Sequence, residues 1–338
     1  MTRILSAALV AFLAAAGGAQ AATLDDVRAR GDLHCGINTG LIGFAAPDDK
    51  GTWRGFDVDF CRAIAAAVLG DASRVKYKNL TGKTRFTSLR SGEIDVLSRN
   101  TTWTFGRDAD LQLTFAGVNY YDGQGFMIPK KLGVTSARQL AGASVCIQTG
   151  TTTELNLAEY FRLNRMTYEA VPVETSNEAL TNYLAGRCDV YTTDASGLAA
   201  IRAATDAPAE HVILPEIISK EPLGPVVRQG DDQWADIARW TLNAMIAAEE
   251  LGITSANVAE RARGTGNPEI DRLLGKEELQ GRQALGLAPD WAVRIVSQVG
   301  NYGEVFEKHL GVKTPLGIAR GLNAQWRDGG LMYAPPFR

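Results

Sequence analysis

The chain has 338 residues, of which 45% are hydrophobic and 22% charged, and its formal net charge is −3. That length exceeds what one ordinary core holds and suits two domains. The small charge argues for no strongly charged partner, and no basic stripe interleaved with aromatics marks a nucleic-acid surface.

At the start, Arg3 precedes an apolar run over residues 4–16 and then small residues ending in Ala19-Gln20-Ala21. A positive beginning, an apolar stretch of about a dozen residues and an A-x-A site make a secretory signal, residues 1–21, cleaved near Ala21 or Ala22. A membrane anchor is the alternative, but the run falls short of the roughly 20 apolar residues a span requires.

Residues 24–30 read as a short helix ending at Gly31, and 33–37 as a first strand, broken by Asn38-Thr39-Gly40. Gly55 introduces a helix over 56–69, because Phe56, Phe60, Ile64, Ala67 and Val68 recur at helical spacing. A strand at 75–77, a helix at 86–91 closed by Gly92, and a strand at 94–97 follow. This alternation argues for a parallel sheet. The same grammar restarts with strands at 144–148, 168–171 and 188–192, separated by helices at 152–162 and 177–185; a helix follows Asp194. Two α/β units result, each with a crevice where strands end and helices begin. Residues 120–128 and 213–227 are β-prone but broken by Gly and Pro, and read as two crossings, the second returning the chain to the first unit. The remainder adds helices at 234–251, 291–299 and 302–309 and an irregular tail with two prolines at 331–338. The expected division is 22–122 with 219–338 as lobe one and 123–218 as lobe two.

Four cysteines, Cys35, Cys61, Cys146 and Cys188, allow three disulfide connectivities. They fall in two pairs, one in each half, and each pair could staple its own lobe. Loops of about 25 and 40 residues would each contribute roughly 3–4 kcal/mol. Two pairs of buried free thiols are the alternative. A metal site has little support, because no C-x-x-C spacing occurs and the histidines are only His34, His211 and His309.

The most specific string is Gly55-Phe56-Asp57-Val58-Asp59-Phe60, followed by Ala63-Ile64-Ala65 and Val68. Physically, Asp57 and Asp59 lie in a first helical turn, where negative charge meets the positive end of the macrodipole. The string resembles the signature of the bacterial extracellular solute-binding proteins of the polar amino-acid class, family 3. The resemblance implies a type II periplasmic-binding-protein fold, two α/β lobes joined by two crossing strands, and a periplasmic receptor for an ABC transporter. Residues 219–227 resemble that family's return strand, so the likeness covers nearly the whole mature chain. The four-cysteine layout and long tail are most similar to the general L-amino-acid and the glutamate/glutamine/aspartate/asparagine receptors. Compact members end earlier, leaving most of the chain beyond Leu251 as extra packing or a docking surface.

The resemblance also implies a site. Asn100-Thr101-Thr102-Trp103-Thr104-Phe105-Gly106-Arg107 is similar to the segment in which a hydroxyl and an arginine bind an amino acid's α-carboxylate. The residues suit the task, since a guanidinium pairs bidentately with a carboxylate and Thr102 adds a hydroxyl and a backbone donor. Read alone, Arg107 beside Asp108 and Asp110 is a surface ion pair. Gly150-Thr151-Thr152 opens a helix whose free N–H groups suit an anion, and resembles the second carboxylate segment; simple capping by Thr151 is the plainer reading. Asp194 matches the ammonium-binding aspartate, although on local grounds it is equally a helix N-cap. Arg85 falls where acidic-amino-acid receptors meet the distal carboxylate, with Arg99 a second candidate. Phe44 is a candidate pocket wall, with core packing as its usual alternative, and Asn38 a source of backbone contacts.

The expected function is capture of a free L-amino acid, chiefly Glu, Gln, Asp or Asn, by hinge closure, and delivery to membrane permease subunits by a monomeric receptor without a cofactor. The rivals are a dehydratase-like enzyme on the same scaffold, which would need a poised carboxylate or histidine, and a sensor ectodomain.

Overall fold

The computed structural model describes residues 23–338. The expected signal segment, with its cleavage position near Ala21 or Ala22, lies outside the described residues.

The chain begins with α1 (Thr23–Arg30), β1 (Leu33–Asn38), a small hairpin of β2 (Ala46–Pro47) and β3 (Trp53–Arg54), and α2 (Phe56–Leu69). Then come β4 (Val75–Leu80), α3 (Arg85–Arg90), β5 (Val96–Leu97), α4 (Phe105–Ala109) and β6 (Leu113–Phe115). β1 pairs in parallel with both β4 and β5, and as a central strand covered on both faces it is almost wholly buried. Gly55 is required where it stands: its φ is 139°, and a Cβ there would lie 2.1 Å from the Phe44 carbonyl oxygen. That close approach lets α2 start under the β1 loop.

β7 (Tyr120–Asp122) leads to β8 (Gln124–Pro129), β9 (Ser144–Gln148), α5 (Thr152–Leu163), β10 (Glu169–Val173), α6 (Ser176–Leu184), β11 (Val190–Asp194), α7 (Ala195–Ala203) and β12 (His211–Ile213). β13 (Glu221–Leu223) and β14 (Val226–Arg228) return the chain. The two five-stranded sheets run β4-β1-β5-β14-β6 and β10-β9-β11-β8-β12. In each, the fourth strand lies antiparallel to its parallel core and is entered from a strand of the β7–β13 ladder. That ladder is antiparallel and pairs Asp122 with Glu221, Tyr121 with Pro222 and Tyr120 with Leu223. The crossings are therefore shorter than the expected 120–128 and 213–227, because β8, β12 and β14 are ordinary members of the sheets.

Cys35 and Cys61 are joined, Cα to Cα 6.3 Å, and so are Cys146 and Cys188 at 5.6 Å. Each disulfide stays within its own half, the first joining β1 to α2 and the second joining β9 to the residue two before β11.

The C-terminal part comprises α8 (Asp232–Glu250), α9 (Val258–Arg261), α10 (Pro268–Leu273), α11 (Arg282–Leu285), α12 (Trp291–Gln298) and α13 (Tyr302–His309). Trp291, Ile295, Tyr302 and Phe306 are buried in the same core as α2, whose alanines admit close packing. Asp59 anchors this layer by accepting from Arg62 at 2.7 Å, Lys308 at 2.9 Å and His309 at 2.7 Å. Burial alone would raise its carboxyl, but the His309 and Lys308 bonds and charges hold it well below the usual carboxylate range. The tail also grips the crossing. Tyr121 N–H donates to Asn323 Oδ1 at 2.7 Å, Asn323 Nδ2 donates to the Tyr121 carbonyl at 3.1 Å, and the Tyr302 hydroxyl donates to the Asn119 carbonyl at 2.9 Å. Asn323 thus serves the free edge of β7 as a neighbouring strand would.

Candidate functional site

Between the two sheets, at the ends of β1, β5, β9 and β11, side chains from both halves meet. Asp57, in the first turn of α2, is buried and accepts from the Asn100 N–H at 2.9 Å and from Ser98 Oγ at 3.4 Å. Burial pushes its carboxyl up to about 6. Asn100 has φ 29°, an uncommon conformation for any residue but glycine, which asparagine tolerates best. Asp57 therefore fixes the turn that carries the segment 99–107, whereas Asp59, two residues on, belongs to the C-terminal layer.

The first half presents arginines. Arg85, 2% exposed, donates to Thr101 Oγ1 and across the cleft to the Gly150 carbonyl, both at 3.3 Å. Arg107, half-buried, donates to the Thr102 carbonyl at 2.9 Å. Both guanidiniums lie over the Phe86 ring, at 4.7 and 5.2 Å from its centroid, a favourable seat for a cation. Arg99, also 2% exposed, donates its Nε to the Leu80 carbonyl at 2.8 Å. Burial, aided by the neighbouring Arg107 and Arg99 charges, pulls Arg85 well below the usual guanidinium range, and burial brings Arg99 down to about 10. Arg85 Nε and one terminal nitrogen of Arg99, Nη2, are buried without a hydrogen-bond partner. Buried donors are normally satisfied, so this face is suited to an anion.

The other half and the crossing present carboxylates. Asp194, at the end of β11, is 6% exposed and accepts from Asn100 Nδ2 at 3.3 Å. It makes no capping bond to α7, so the plain N-cap reading fails and its carboxylate faces the cleft. Burial and the neighbouring Asp122 and Glu221 push it well above the ordinary carboxylate range. Asp122 is pushed up to about 6 by burial, against hydrogen bonds from Ser196 and the Gly123 N–H.

The α5 turn faces lobe one. Thr151 does not cap the helix; its hydroxyl donates to the Gln148 carbonyl at 2.6 Å. Gly150 has φ 72°, and Thr152 Oγ1 lies 3.3 Å from Thr102 Oγ1. The halves also touch at Gly82, where a Cβ would fall 2.7 Å from the Thr149 carbonyl oxygen, and at Lys83–Glu174, 3.1 Å apart.

Of the sequence candidates, Arg85, Arg99, Asn100, Thr102, Arg107, Gly150, Thr151, Thr152 and Asp194 come together here. Asn38 is adjacent, donating to Asn100 Oδ1 at 3.0 Å. Phe44 is not brought to the cleft: its ring is 1% exposed and packs edge-on against Phe56 and Tyr120, so core packing wins. His309 pairs with Asp59 and His211 with the Tyr183 hydroxyl, both away from the cleft. Sequence reasoning missed Phe86, Asp122 and Glu221. Glu221, 1% exposed, accepts from Thr102 and, at 2.9 Å, from Thr152. A charged residue amid a buried apolar return strand was the available signal.

Comparison with known proteins agrees with this architecture. The family model for "Bacterial extracellular solute-binding proteins, family 3" matches residues 33–256. The glutamate/glutamine/aspartate/asparagine-binding protein BztA of Rhodobacter capsulatus is 61% identical over 98% of both chains. The general L-amino acid-binding periplasmic protein AapJ of Rhizobium johnstonii is 58% identical over 99% of both. A solved ABC transporter/periplasmic binding protein from Brucella ovis with glutathione bound superposes with a TM-score of 0.92 at 60% identity, over 94% of this chain and all of that one. The chain belongs to the bacterial extracellular solute-binding proteins, family 3, and has their type II periplasmic-binding-protein fold.

Proposed function

We propose that the protein is a periplasmic receptor that closes two lobes, 22–122 with 219–338 and 123–218, around one free L-amino acid and passes it to an ABC transporter permease. The observation that carries this reading is a guanidinium, Arg107, on one lobe and a buried carboxylate, Asp194, on the other. An α-amino acid carries the complementary pair of charges on one carbon. Arg107, the Thr102 backbone and the turn at Gly150, Thr151 and Thr152 take the α-carboxylate, and Asp194 takes the ammonium. Arg85 and Arg99, with their unpartnered nitrogens, meet a side-chain acid or amide, which favours Glu, Gln, Asp and Asn, the ligands in the name of the 61% identical relative. Glutathione, bound in the Brucella ovis relative, has a γ-glutamyl end with the same free ammonium and α-carboxylate, so γ-glutamyl peptides are a second ligand class.

The role is binding rather than turnover, because the cleft charges pair with a zwitterion and the histidines His211 and His309 are engaged elsewhere. Calorimetry with the twenty amino acids and glutathione, on wild type and Arg85→Ala, tests it, with mass spectrometry of the recovered ligand. Micromolar binding, about −8 kcal/mol, of unchanged ligand is expected, with selective loss of the acidic ligands in the variant. Failure to bind any of them, or recovery of a chemically altered ligand, refutes the reading.

A further inference from the structure

The last segment of the chain reaches back to the crossing. Asn323, 4% exposed, bonds both backbone groups of one crossing residue, accepting from the Tyr121 N–H and donating to the Tyr121 carbonyl. Asn323 is itself held to lobe one. Arg320 Nε donates to the Asn323 carbonyl at 2.9 Å, and the two terminal nitrogens of Arg320 meet the two carboxylate oxygens of Glu249, on α8, at 2.9 and 3.1 Å. The same guanidinium lies over the Tyr302 and Phe306 rings of α13, at 5.2 and 4.8 Å from their centroids. Gln325, 3% exposed, donates to the Ile246 carbonyl at 3.2 Å. A bidentate pair seated on aromatic rings has little freedom to turn.

One residue beyond Tyr121 the attachments change sides. The Asp122 carboxylate accepts from the Ser196 hydroxyl and, at 3.4 Å, from the Ser196 N–H of α7. The Gly123 carbonyl accepts from the Ala195 N–H at 2.7 Å. The return strand divides in the same way. On the side of lobe two, the Ile218 N–H donates to the Gln124 carbonyl at 2.9 Å. On the side of lobe one, the Trp103 N–H donates to the Pro222 carbonyl at 2.8 Å and the Gly224 N–H to the Thr101 carbonyl at 3.0 Å.

We infer that the C-terminal segment is a strap that assigns β7 to lobe one and confines the bend between the lobes to residues 122–123 on the outgoing chain and 219–221 on the return, with Asn323 as a positioning residue for closure. This rests on the receptor reading, in which the lobes move. Without the strap, water replaces Asn323 on the outer edge of β7, and residues 119–121 are free to bend with the hinge. Conformations that the free protein gains in this way are given up again on closing, and lost preorganisation weakens binding. Asn323 acts on the crossing and not on the ligand, so the loss falls equally on every ligand.

Amide exchange measured by nuclear magnetic resonance, with and without L-glutamate, tests the strap in wild type and Asn323→Ala, alongside calorimetry with glutamate and glutamine. Gly224, bonded within lobe one, is the reference amide. In wild type the Tyr121 amide should be protected relative to Gly224 to the same degree with and without ligand. In Asn323→Ala it should exchange faster than in wild type, and about threefold or more faster in the free protein than in the complex. Affinities for glutamate and glutamine should fall by one common factor, about two- to tenfold. A merely structural role would speed Tyr121 exchange equally in both states and leave both affinities unchanged, which overturns the proposal. Wild-type protection of Tyr121 that disappears without ligand also overturns it, and that measurement decides alone if the variant does not fold. Absence of binding by wild type counts against the receptor reading, whereas ligand-dependent Tyr121 protection with binding intact counts against the strap alone.

Discussion

The two lobes share one strand order, yet they bring opposite charges to the same cleft. In lobe one, the chain leaving the third strand of the sheet, β5, carries Arg99, Asn100, Thr102 and Arg107, and Arg85 joins them from α3. In lobe two, the equivalent strand, β11, ends on Asp194, and the crossing adds Asp122 and Glu221. The fold places functional residues at strand ends; it does not choose their sign. The cleft thus gathers guanidiniums on one side and carboxylates on the other, and within each group like charges are neighbours. Like charges gathered in a low dielectric are costly, and a small ligand bearing both signs relieves both faces at once.

Removing one side of that division should have the largest effect. Arg107→Ala, or Asp194→Asn, leaves the opposite charge of the ligand unpaired, and loss of one partner of a desolvated pair costs roughly 2–5 kcal/mol of binding. Calorimetry should show that loss in each variant with little change in unfolding temperature. Wild-type affinity in either one would break the comparison.

The lobes also differ in how they are held together. Lobe one buries its sheet under the C-terminal helices and carries the Cys35–Cys61 bond, while the sheet of lobe two packs against α5, α6 and α7 and carries the Cys146–Cys188 bond. By loop-closure entropy the 42-residue separation of that bond is worth about 4 kcal/mol. The double variant Cys146→Ser, Cys188→Ser should therefore lose stability of that order in denaturant titration. Ligand affinity at low temperature should stay close to wild type.

Contact between the lobes is a third point of attack. Gly82→Ala puts a methyl group against the Thr149 carbonyl, at 2.7 Å if nothing shifts. Overpacking of this kind costs about 1–3 kcal/mol, here in the closed form only, so affinity should fall without loss of stability. An unaffected affinity would show that closure does not bring these segments together.

The smallest effect concerns pH. In the free protein Asp194 sits well above the ordinary carboxylate range through burial, Asp122 and Glu221. A ligand ammonium favours its ionised form, so the complex holds fewer protons than the free protein. Binding thus releases protons, and affinity weakens as pH falls through the raised range, in which burial also holds Asp122, pushed up to about 6. The slope is at most about tenfold per pH unit for each proton. Affinity that strengthens between pH 7 and 5 would contradict the assignment of the ammonium to Asp194.

Much of this was readable from residues alone because local chemistry and fold agree. The helix after Gly55 forms where apolar spacing puts it, and both disulfides stay within their halves. Asp194 ends β11, and Arg107 lies on α4 in the segment that leaves β5, so both stand on the side of the sheets to which a repeated α/β pattern points. What was hidden depended on distant partners. Asp57 and Asp59 look alike in sequence, but one fixes Asn100 and the other anchors Lys308 and His309, about 250 residues away. Phe44 has no local mark that separates a pocket wall from a core ring. Glu221 acquires its hydrogen-bond partners only when Thr102 and Thr152 arrive from opposite lobes.

The central claim is that a ligand with both charges on one carbon draws the lobes shut. Positions 83 and 174 lie on opposite lobes, 3.1 Å apart as an exposed ion pair whose loss costs little. With spin labels at these positions, the pulsed-resonance distance between them reports closure. It should shorten with L-glutamate and stay at the ligand-free value with glutarate, which lacks the ammonium. Equal shortening by glutarate would contradict the account.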